Sequence, residues 1–386
     1  MKIAVLTEGL GSGGAERQAC TLAAEFKRRG HDVCVATYHR SDYYRPLLER
    51  ENVEHRLLGG RGRVPWAMRV RRFLGTHDQN VALAFLPGPS AYAELAGLPR
   101  RAWGLVVSER SAGLRGWAKS CLHTRADYIV TNSHSARIAI GTRHPRLESR
   151  LFTIYNAVNI EPSPLVAHVP HNSGEVRLLV AARVDRNKNA RKLLEALDAV
   201  RNVQPSLRLS VDWYGNQEAE PDTVRETREA ISHKNLGGIF RLHEPTDKIH
   251  DLMLRADTVV LPSYYEGLPN SICEGMALGK PILMSAVCDA GNLVQDGVSG
   301  FLFDPHSPRS IADAIARFVR LTPEERSHMG KASRARAEVL FDVKTVAGRY
   351  LRILEAAAER KRLKIEHWPK QVPETALRDS FQLRTT

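Results

Sequence analysis

The 386-residue chain has no run that approaches the ~18 apolar residues a membrane-spanning helix needs. Its opening, MKIAVLTEGLGSGG, has too short an apolar part for a secretory leader and reads as a first strand. Five scattered cysteines, Cys20, Cys34, Cys121, Cys273 and Cys288, include no close pair. That argues against a zinc cluster or disulfide framework and fits a reducing cytosol. There is no DxD triplet and no histidine pair with metal-ligand spacing, so a metal-anchored diphosphate site is not expected. The GxSxG elbow of hydrolases and the GxxxxGK[ST] loop of ATP-binding proteins are also missing. A hydrophobic content of 43% with 26% charged residues is that of an ordinary soluble globular protein, long enough for two or three domains.

Positive charge, by contrast, is in excess. The net charge is +13 and it is unevenly placed. Residues 1–170 hold 24 Lys and Arg against 14 Asp and Glu, or +10, whereas the remaining 216 residues hold 32 against 29, or +3. A basic first half implies an anionic partner. Residues 61–75, RGRVPWAMRVRRFLG, interleave Trp66, Met68, Val70, Phe73 and Leu74 with five arginines. The stretch reads as an amphipathic helix whose apolar side meets its own core, with contact to an anionic membrane surface as the sharper alternative. Nucleic acid is not an expected partner, because no recognisable nucleic-acid module accompanies the charge.

Short Val/Ile/Leu runs alternate with helical patterns along the chain. KIAVLTE is a strand, followed by a Gly-rich turn and a helix from about Ala15 to Arg29; DVCVATY, VALAFLP, WGLVVSE and YIVTNS are further buried runs. The pattern lapses at 159–174, NIEPSPLVAHVPHNSG, whose prolines mark a linker. It restarts with VRLLVAARV, LRLSVDWYG, GIFRLHE, DTVVLPS and PILMSA, each separated by a helical pattern. Helices then run from about Pro308 to Lys361, before a polar, basic tail from Arg362. The predicted fold class is α/β, with two tandem parallel sheets covered on both faces and a cleft where the carboxyl ends of their strands face each other.

In SYYEGLPNSICEGMALGKPI, seven residues separate Glu266 from Glu274. Gly267, Leu268 and Pro269 cannot continue a strand or sit inside a helix, whereas Asn270 and Ser271 start helices well. Strand, short loop and helix N-terminus together present amides and a positive dipole end to an anion. Arg183 and Lys188, in AARVDRNKN, leave a strand end on a loop that starts the next helix. Two cations there would neutralise a diphosphate; taken alone they read first as solvated surface charges, and their place in the same half as Glu266 and Glu274 shifts that reading. The first loop, from Gly9 to Gly14, contains GxGxxG between a strand and a helix, the dinucleotide fingerprint. The second strand, however, ends in Tyr38 and His39, with no acid to take a ribose. What remains is a tight turn, or close backbone approach to a phosphate or sugar. Glu109 and Arg110 follow another strand and face the cleft, or else form a local ion pair; His134 and His123 are further candidates, each read as a structural or surface residue ahead of a catalytic one.

These segments resemble those of retaining glycosyltransferases of the GT-B fold, in the large family 4. Glu266 to Gly279 resembles the family's E-x7-E signature, and GSGGAERQ its first loop. AARVDRNKN resembles its arginine-lysine diphosphate loop, with Ala182 where glycine is common; TNSHSARIAI and DAGNLVQDGVSGFLFDP resemble the end of its first domain and its closing segment. The match covers roughly residues 1–345 and implies two Rossmann-like doubly wound domains facing a central cleft. Residues 1–165 would bind the acceptor, 174–345 the nucleotide sugar, and 346–386 would be a C-terminal helix and basic tail that packs back on the first domain.

The resemblance implies transfer, with retention, of a sugar from a nucleotide-diphosphate donor to a hydroxyl of a saccharide; a UDP-sugar is the expected donor. The basic first domain adds the expectation of a polyprenyl-diphosphate-linked acceptor at the inner membrane face, and so of a cytoplasmic, peripherally membrane-bound protein. By position, Arg183 and Lys188 would hold the donor diphosphate, Glu266 the donor sugar and Glu274 the ribose hydroxyls. The amides of Gly267, Leu268, Asn270 and Ser271 would face the sugar or β-phosphate, Gly13 and Gly14 would approach the same phosphate, and Gly215 joins the donor-binding set. Glu109, Arg110 and His134 would stand on the acceptor side, in a region where many relatives carry a histidine near the donor sugar. No cofactor and no metal are implied. The rival readings are a sugar-nucleotide epimerase or hydrolase of the same architecture, marked by nucleotide release without an acceptor, and an NAD-dependent oxidoreductase, against which the missing acid counts.

Overall fold

The computed structural model describes residues 1–59, 63–76, 78–110, 125–160, 174–361 and 363. Its described residues form two compact units, one from Met1–Ala157 together with residues 340–361, the other from Val158–Val339. In the first unit the order is β1 (Lys2–Thr7), α1 (Gly14–Arg28), β2 (Asp32–Thr37), α2 (Arg45–Arg50), β3 (Glu54–Leu57), α3 (Arg63–Thr76), β4 (Val81–Phe85), α4 (Pro87–Ala96), β5 (Gly104–Glu109), β6 (Tyr128–Thr131), α5 (His134–Arg143) and β7 (Leu151–Thr153). The strands form one parallel sheet, ordered β3-β2-β1-β4-β5-β6-β7. The second unit runs β8 (Val176–Ala181), α6 (Ala190–Val203), β9 (Leu209–Tyr214), α7 (Pro221–His233), β10 (Phe240–His243), α8 (Ile249–Arg255), β11 (Thr258–Leu261), α9 (Asn270–Ala277), β12 (Ile282–Ser285), α10 (Ala290–Leu293), β13 (Gly300–Phe303) and α11 (Pro308–Val319). Its sheet is also parallel, ordered β10-β9-β8-β11-β12-β13.

Both sheets reverse their winding direction beside their first strand, between β1 and β4 and between β8 and β11. A crevice forms at such a point because the loops on either side turn away from each other, and open α/β sheets bind ligands there. In the first sheet β4 and β5 are buried along their whole length, as continuous apolar runs require when helices cover both faces. The expectation of two covered faces does not hold at one edge of the second sheet. There Asp212, Tyr214, Arg241 and His243 are partly exposed on one face of β9 and β10. Arg241 Nε donates to Asp212 at 2.8 Å, and the His243 ring stacks on Tyr214 at 4.4 Å. The physical reason is length: α8, the helix between β10 and β11, has seven residues.

The arginine-rich stretch forms α3, and Trp66, Val70, Phe73 and Leu74 are buried in a cluster with Ala4, Leu6 and Ala82. Trp66 meets the ring of Tyr38 at 4.5 Å. Its apolar side therefore packs on the chain's own core, while Met68 is exposed. Arg71 donates to the Ala96 and Leu98 carbonyls at 2.8 and 2.6 Å, closing the end of α4. Among the described residues no helix is long and apolar enough to cross a membrane.

The unit boundary near the C-terminus falls inside one continuous helix, α12 (Pro323–Phe341), which no sequence punctuation could mark. After it, α13 (Val343–Ala358) lies on the first sheet. Its Val346, Tyr350, Ile353, Leu354 and Ala357 share a buried cluster with Ile3, Phe26 and Val106. At Gly104 a Cβ would stand 2.5 Å from the carbonyl carbon of Ala357, so only glycine lets α13 lie this close to β5. Gly104→Ala should overpack the site at a cost of about 2 kcal/mol, which calorimetry would read as a melting temperature lower by about 5 °C.

Candidate functional site

The residues singled out in the second domain converge on the β8/β11 switch point. The loop after β8 carries Arg183 and Lys188, and the loop after β11 carries Glu266. Several hydrogen bonds tie the two loops together. Tyr264 N donates to Asn187 O at 2.9 Å, Asn187 Nδ2 returns to Tyr265 O at 2.8 Å, and the buried Asn189 Nδ2 reaches both Pro262 O and Pro305 O at 2.9 Å. Asn189 holds φ at +62°, a conformation asparagine tolerates better than most residues. Asp185 accepts from Lys188 N at 3.0 Å and so shapes the turn that carries the lysine.

These ties bring Lys188 Nζ to 2.5 Å from Glu266 Oε1, with the two side chains only 16% and 11% exposed. Such a pair is a poor place to leave one charge alone: breaking a buried pair typically costs 3–5 kcal/mol. Arg183 differs from Lys188. Its side chain is 64% exposed and pairs with Asp185 at 3.2 Å. The two cations are therefore a buried, fixed one and an outward, movable one.

Beyond Glu266 the chain turns through Gly267 and the buried Leu268 into α9, whose N-cap is Pro269. No side chain caps this helix. The proline stands where a side-chain acceptor would otherwise sit, so the helix's positive end is not consumed by its own sequence. Asn270 and Ser271 are its first two residues, and Glu274 lies one turn in, 11% exposed at the side chain. His250, on α8, stands 3.3 Å from Glu274 through Nε2. Behind the site Lys280 is buried and donates to Leu254 O and Ala256 O at 2.6 and 2.9 Å, closing α8. Burial pushes its pKa down to about 8, against the opposing pull of Asp257. Sequence reasoning missed His250, Asn189 and Lys280. The signal for Asn189 was the asparagine at the end of DRNKN; nothing in the sequence alone aligns His250 with Glu274.

Gly215 ends β9 beside the same loop. A Cβ there would lie 1.8 Å from Ala182 O and 2.5 Å from Ala182 C, so the residue's size is dictated by backbone packing beneath the Arg183 loop.

In the first domain Gly13 is the N-cap of α1 and Gly14 its first residue, with no side-chain cap. Leu10 N donates to Ser41 Oγ at 2.7 Å, which fixes the Gly-rich loop. Across the β1/β4 switch point, Leu86 after β4 is held at φ +72°, ψ 155°, a region that costs a non-glycine residue about 1–3 kcal/mol. Glu109 is buried at the end of β5, and its Oε1 accepts from the Arg110 amide at 3.0 Å rather than from the guanidinium. Arg110 instead lies over the Phe85 ring, 5.0 Å from its centroid, and donates to Asn156 Oδ1 at 2.5 Å. The alternative of a local Glu109–Arg110 side-chain ion pair is thus not what forms. His134 opens α5 and packs edge-on against the buried Tyr155 at 5.7 Å, with its Nε2 shielded from solvent. His123, Cys121 and Arg61 lie outside the described residues.

Gly215→Ala should displace the Ala182–Arg183 backbone. We expect a melting temperature lower by several degrees and, by calorimetric titration, at least tenfold weaker binding of whatever the Arg183 loop holds.

Two family models match, in the order of the two domains. Glycosyltransferase Family 4 matches residues 12–162, and Glycosyl transferases group 1 matches residues 166–336. A glycogen synthase of Mycobacterium tuberculosis is 26% identical over 251 residues, 63% of this chain and 58% of that protein. A D-inositol 3-phosphate glycosyltransferase of Streptomyces griseus is 29% identical over 230 residues, covering 55% of this chain and 48% of its own length. The chain thus spans about half the length of these curated relatives. Among solved structures, Anabaena Alr3699/HepE in complex with UDP and glucose superposes with a TM-score of 0.76 at 20% identity, over 92% of this chain and 100% of that one. A glycosyltransferase from Rickettsia africae gives 0.79 at 16% identity, over 93% and 99%. With two parallel Rossmann-like sheets, each family model on its own domain, the chain belongs to glycosyltransferase family 4 and has the GT-B fold.

Proposed function

We propose that the protein transfers a sugar, with retention, from a UDP-sugar to a hydroxyl of a lipid-linked saccharide. The observation that carries this reading is the Lys188–Glu266 pair at the mouth of an uncapped helix that bears Glu274 one turn in. Breaking a glycosidic bond to a diphosphate leaves an anion and an oxocarbenium-like sugar. Lys188, Arg183 and the α9 amides stabilise the first, and Glu266 stands beside the second. Glu274 takes the ribose hydroxyls. It is not the partner of Glu266 in a covalent route, so the acceptor attacks on the face the diphosphate leaves, and the departing phosphate takes its proton. Lys188 and Arg183 neutralise the diphosphate, so the donor needs no metal. The UDP and UDP-glucose complexes of Anabaena Alr3699/HepE support the choice of donor, with the residue roles following the family resemblance.

The first domain supplies the acceptor side. Its net charge and the exposed Met68, on the outer side of α3, support an anionic, lipid-linked acceptor held at a membrane surface.

Four measurements test this reading. In a thermal-shift screen of UDP-, GDP- and ADP-sugars, the UDP-sugars should stabilise the protein most; stabilisation by another base alone would reassign the donor. Glu274→Ala should weaken UDP binding at least tenfold, and a variant with normal affinity would contradict the ribose role. Lys188→Met should lower kcat by about 10²–10³-fold and, by stranding Glu266, lower stability by about 3 kcal/mol in urea unfolding. For the membrane part, Arg61, Arg63, Arg69 and Arg72 should be changed to Gln together, sparing Arg71 because it closes α4. Binding to phosphatidylglycerol vesicles should fall, and unchanged binding would remove the membrane from the proposal.

A further inference from the structure

Glu274 has a neighbour to which the donor reading gives no task. His250 lies in the first turn of α8, with its Nε2 3.3 Å from Glu274 Oε2. An ionised carboxylate only accepts hydrogen bonds, so this ring nitrogen carries a proton and donates to the acid. The histidine side chain is 56% exposed and that of the glutamate 11%. A pair with one member this exposed adds little to stability. What the bond does for the acid is therefore a better account of it than what it does for the fold.

The backbone on both sides of this bond is held. Gly275, the residue after Glu274, lies so close to the sheet that a Cβ there would stand 2.8 Å from Val259 Cγ2 on β11 and 3.3 Å from Ile282 Cδ1 on β12. α9 is thus packed onto its strands with no room to roll. The far end of α8 is gripped by Lys280, whose Nζ donates to the Leu254 and Ala256 carbonyls while its own amide donates to Gly275 O at 2.9 Å. The two helices are therefore tied twice, by Lys280 near the end of α8 and by His250 near its start. What this backbone leaves to be set is the orientation of the Glu274 side chain, whose torsions cost conformational entropy to fix.

A ribose presents its 2′- and 3′-hydroxyls as neighbours on a ring, and a carboxylate that meets both must face them in one orientation. An ionised carboxylate has about four acceptor positions, so one bond from His250 leaves enough for both hydroxyls. We infer that His250 is a positioning residue, which holds the Glu274 carboxylate in the orientation that accepts from both hydroxyls. The inference rests on the ribose role proposed for Glu274 and adds the group that preorganises it.

Calorimetric titrations of the full chain with UDP and with 2′-deoxy-UDP test this, because a residue that only supports the fold would weaken both nucleotides alike. Wild type should prefer UDP at least tenfold. In His250→Ala the Kd for UDP should rise roughly threefold to tenfold while that for 2′-deoxy-UDP moves less than twofold, so that the preference shrinks. His250→Gln keeps an N–H donor on a side chain of similar reach and should recover most of the preference. A preference in His250→Ala that stays within twofold of wild type would overturn the inference, whether both affinities fall together or neither moves. Failure of His250→Gln to do better than His250→Ala would also count against it, since the donated hydrogen bond would then not be what matters. Equal affinity of wild type for the two nucleotides would take away the ribose role of Glu274, and this inference with it. A wild type that discriminates beside a His250→Ala that discriminates as well would sink the role of His250 alone.

Discussion

The second domain depends on one constraint. A parallel sheet that winds both ways must part its loops beside its first strand, and something must hold the parted loops in register. Here Asn187 and Asn189 supply that tie through the backbone carbonyls of Tyr265 and Pro262, and Lys188 supplies it through Glu266. The polar groups that hold the loops are thus neighbours of the groups proposed to bind the donor. A buried charge pair is weak evidence of stability in its own right. It is better understood as a preorganised site, with the lysine already placed and the glutamate already oriented before any substrate arrives.

The first domain has the same topology but solves the problem differently. Its switch point is framed by a glycine-rich loop and a leucine held at positive φ, while a C-terminal helix returns onto the sheet at Gly104, the other end of β5. Its polar groups are mostly committed to structure. Glu109 is turned onto backbone, His134 is packed on Tyr155, and Arg71 closes a helix.

Much of this was legible in the sequence. The strand-helix alternation and the break near residue 160 gave the two α/β halves, because buried parallel strands are written as apolar runs and linkers as prolines. Glu266, Glu274, Arg183 and Lys188 stood out because they follow strands at spacings that only a loop and a helix start can fill. Long-range alignment was not legible. That His250 reaches Glu274, or that Ala182 crowds Gly215, depends on neighbouring strands rather than neighbouring residues. The open edge at β10 was legible, since FRLH and the VDWY end of β9 alternate apolar and polar residues, the mark of a strand with one face toward solvent. The unit boundary within α12 left no trace because a helix crosses it without interruption.

The central claim is that the two loops of the β8/β11 switch point and α9 form the donor site. Hydrogen–deuterium exchange of the full chain with and without saturating UDP tests it most directly. Slowed exchange confined to residues 183–189 and 264–275, with the β9–β10 edge unchanged, is the predicted result. Protection elsewhere in the chain with none in these two segments would contradict it.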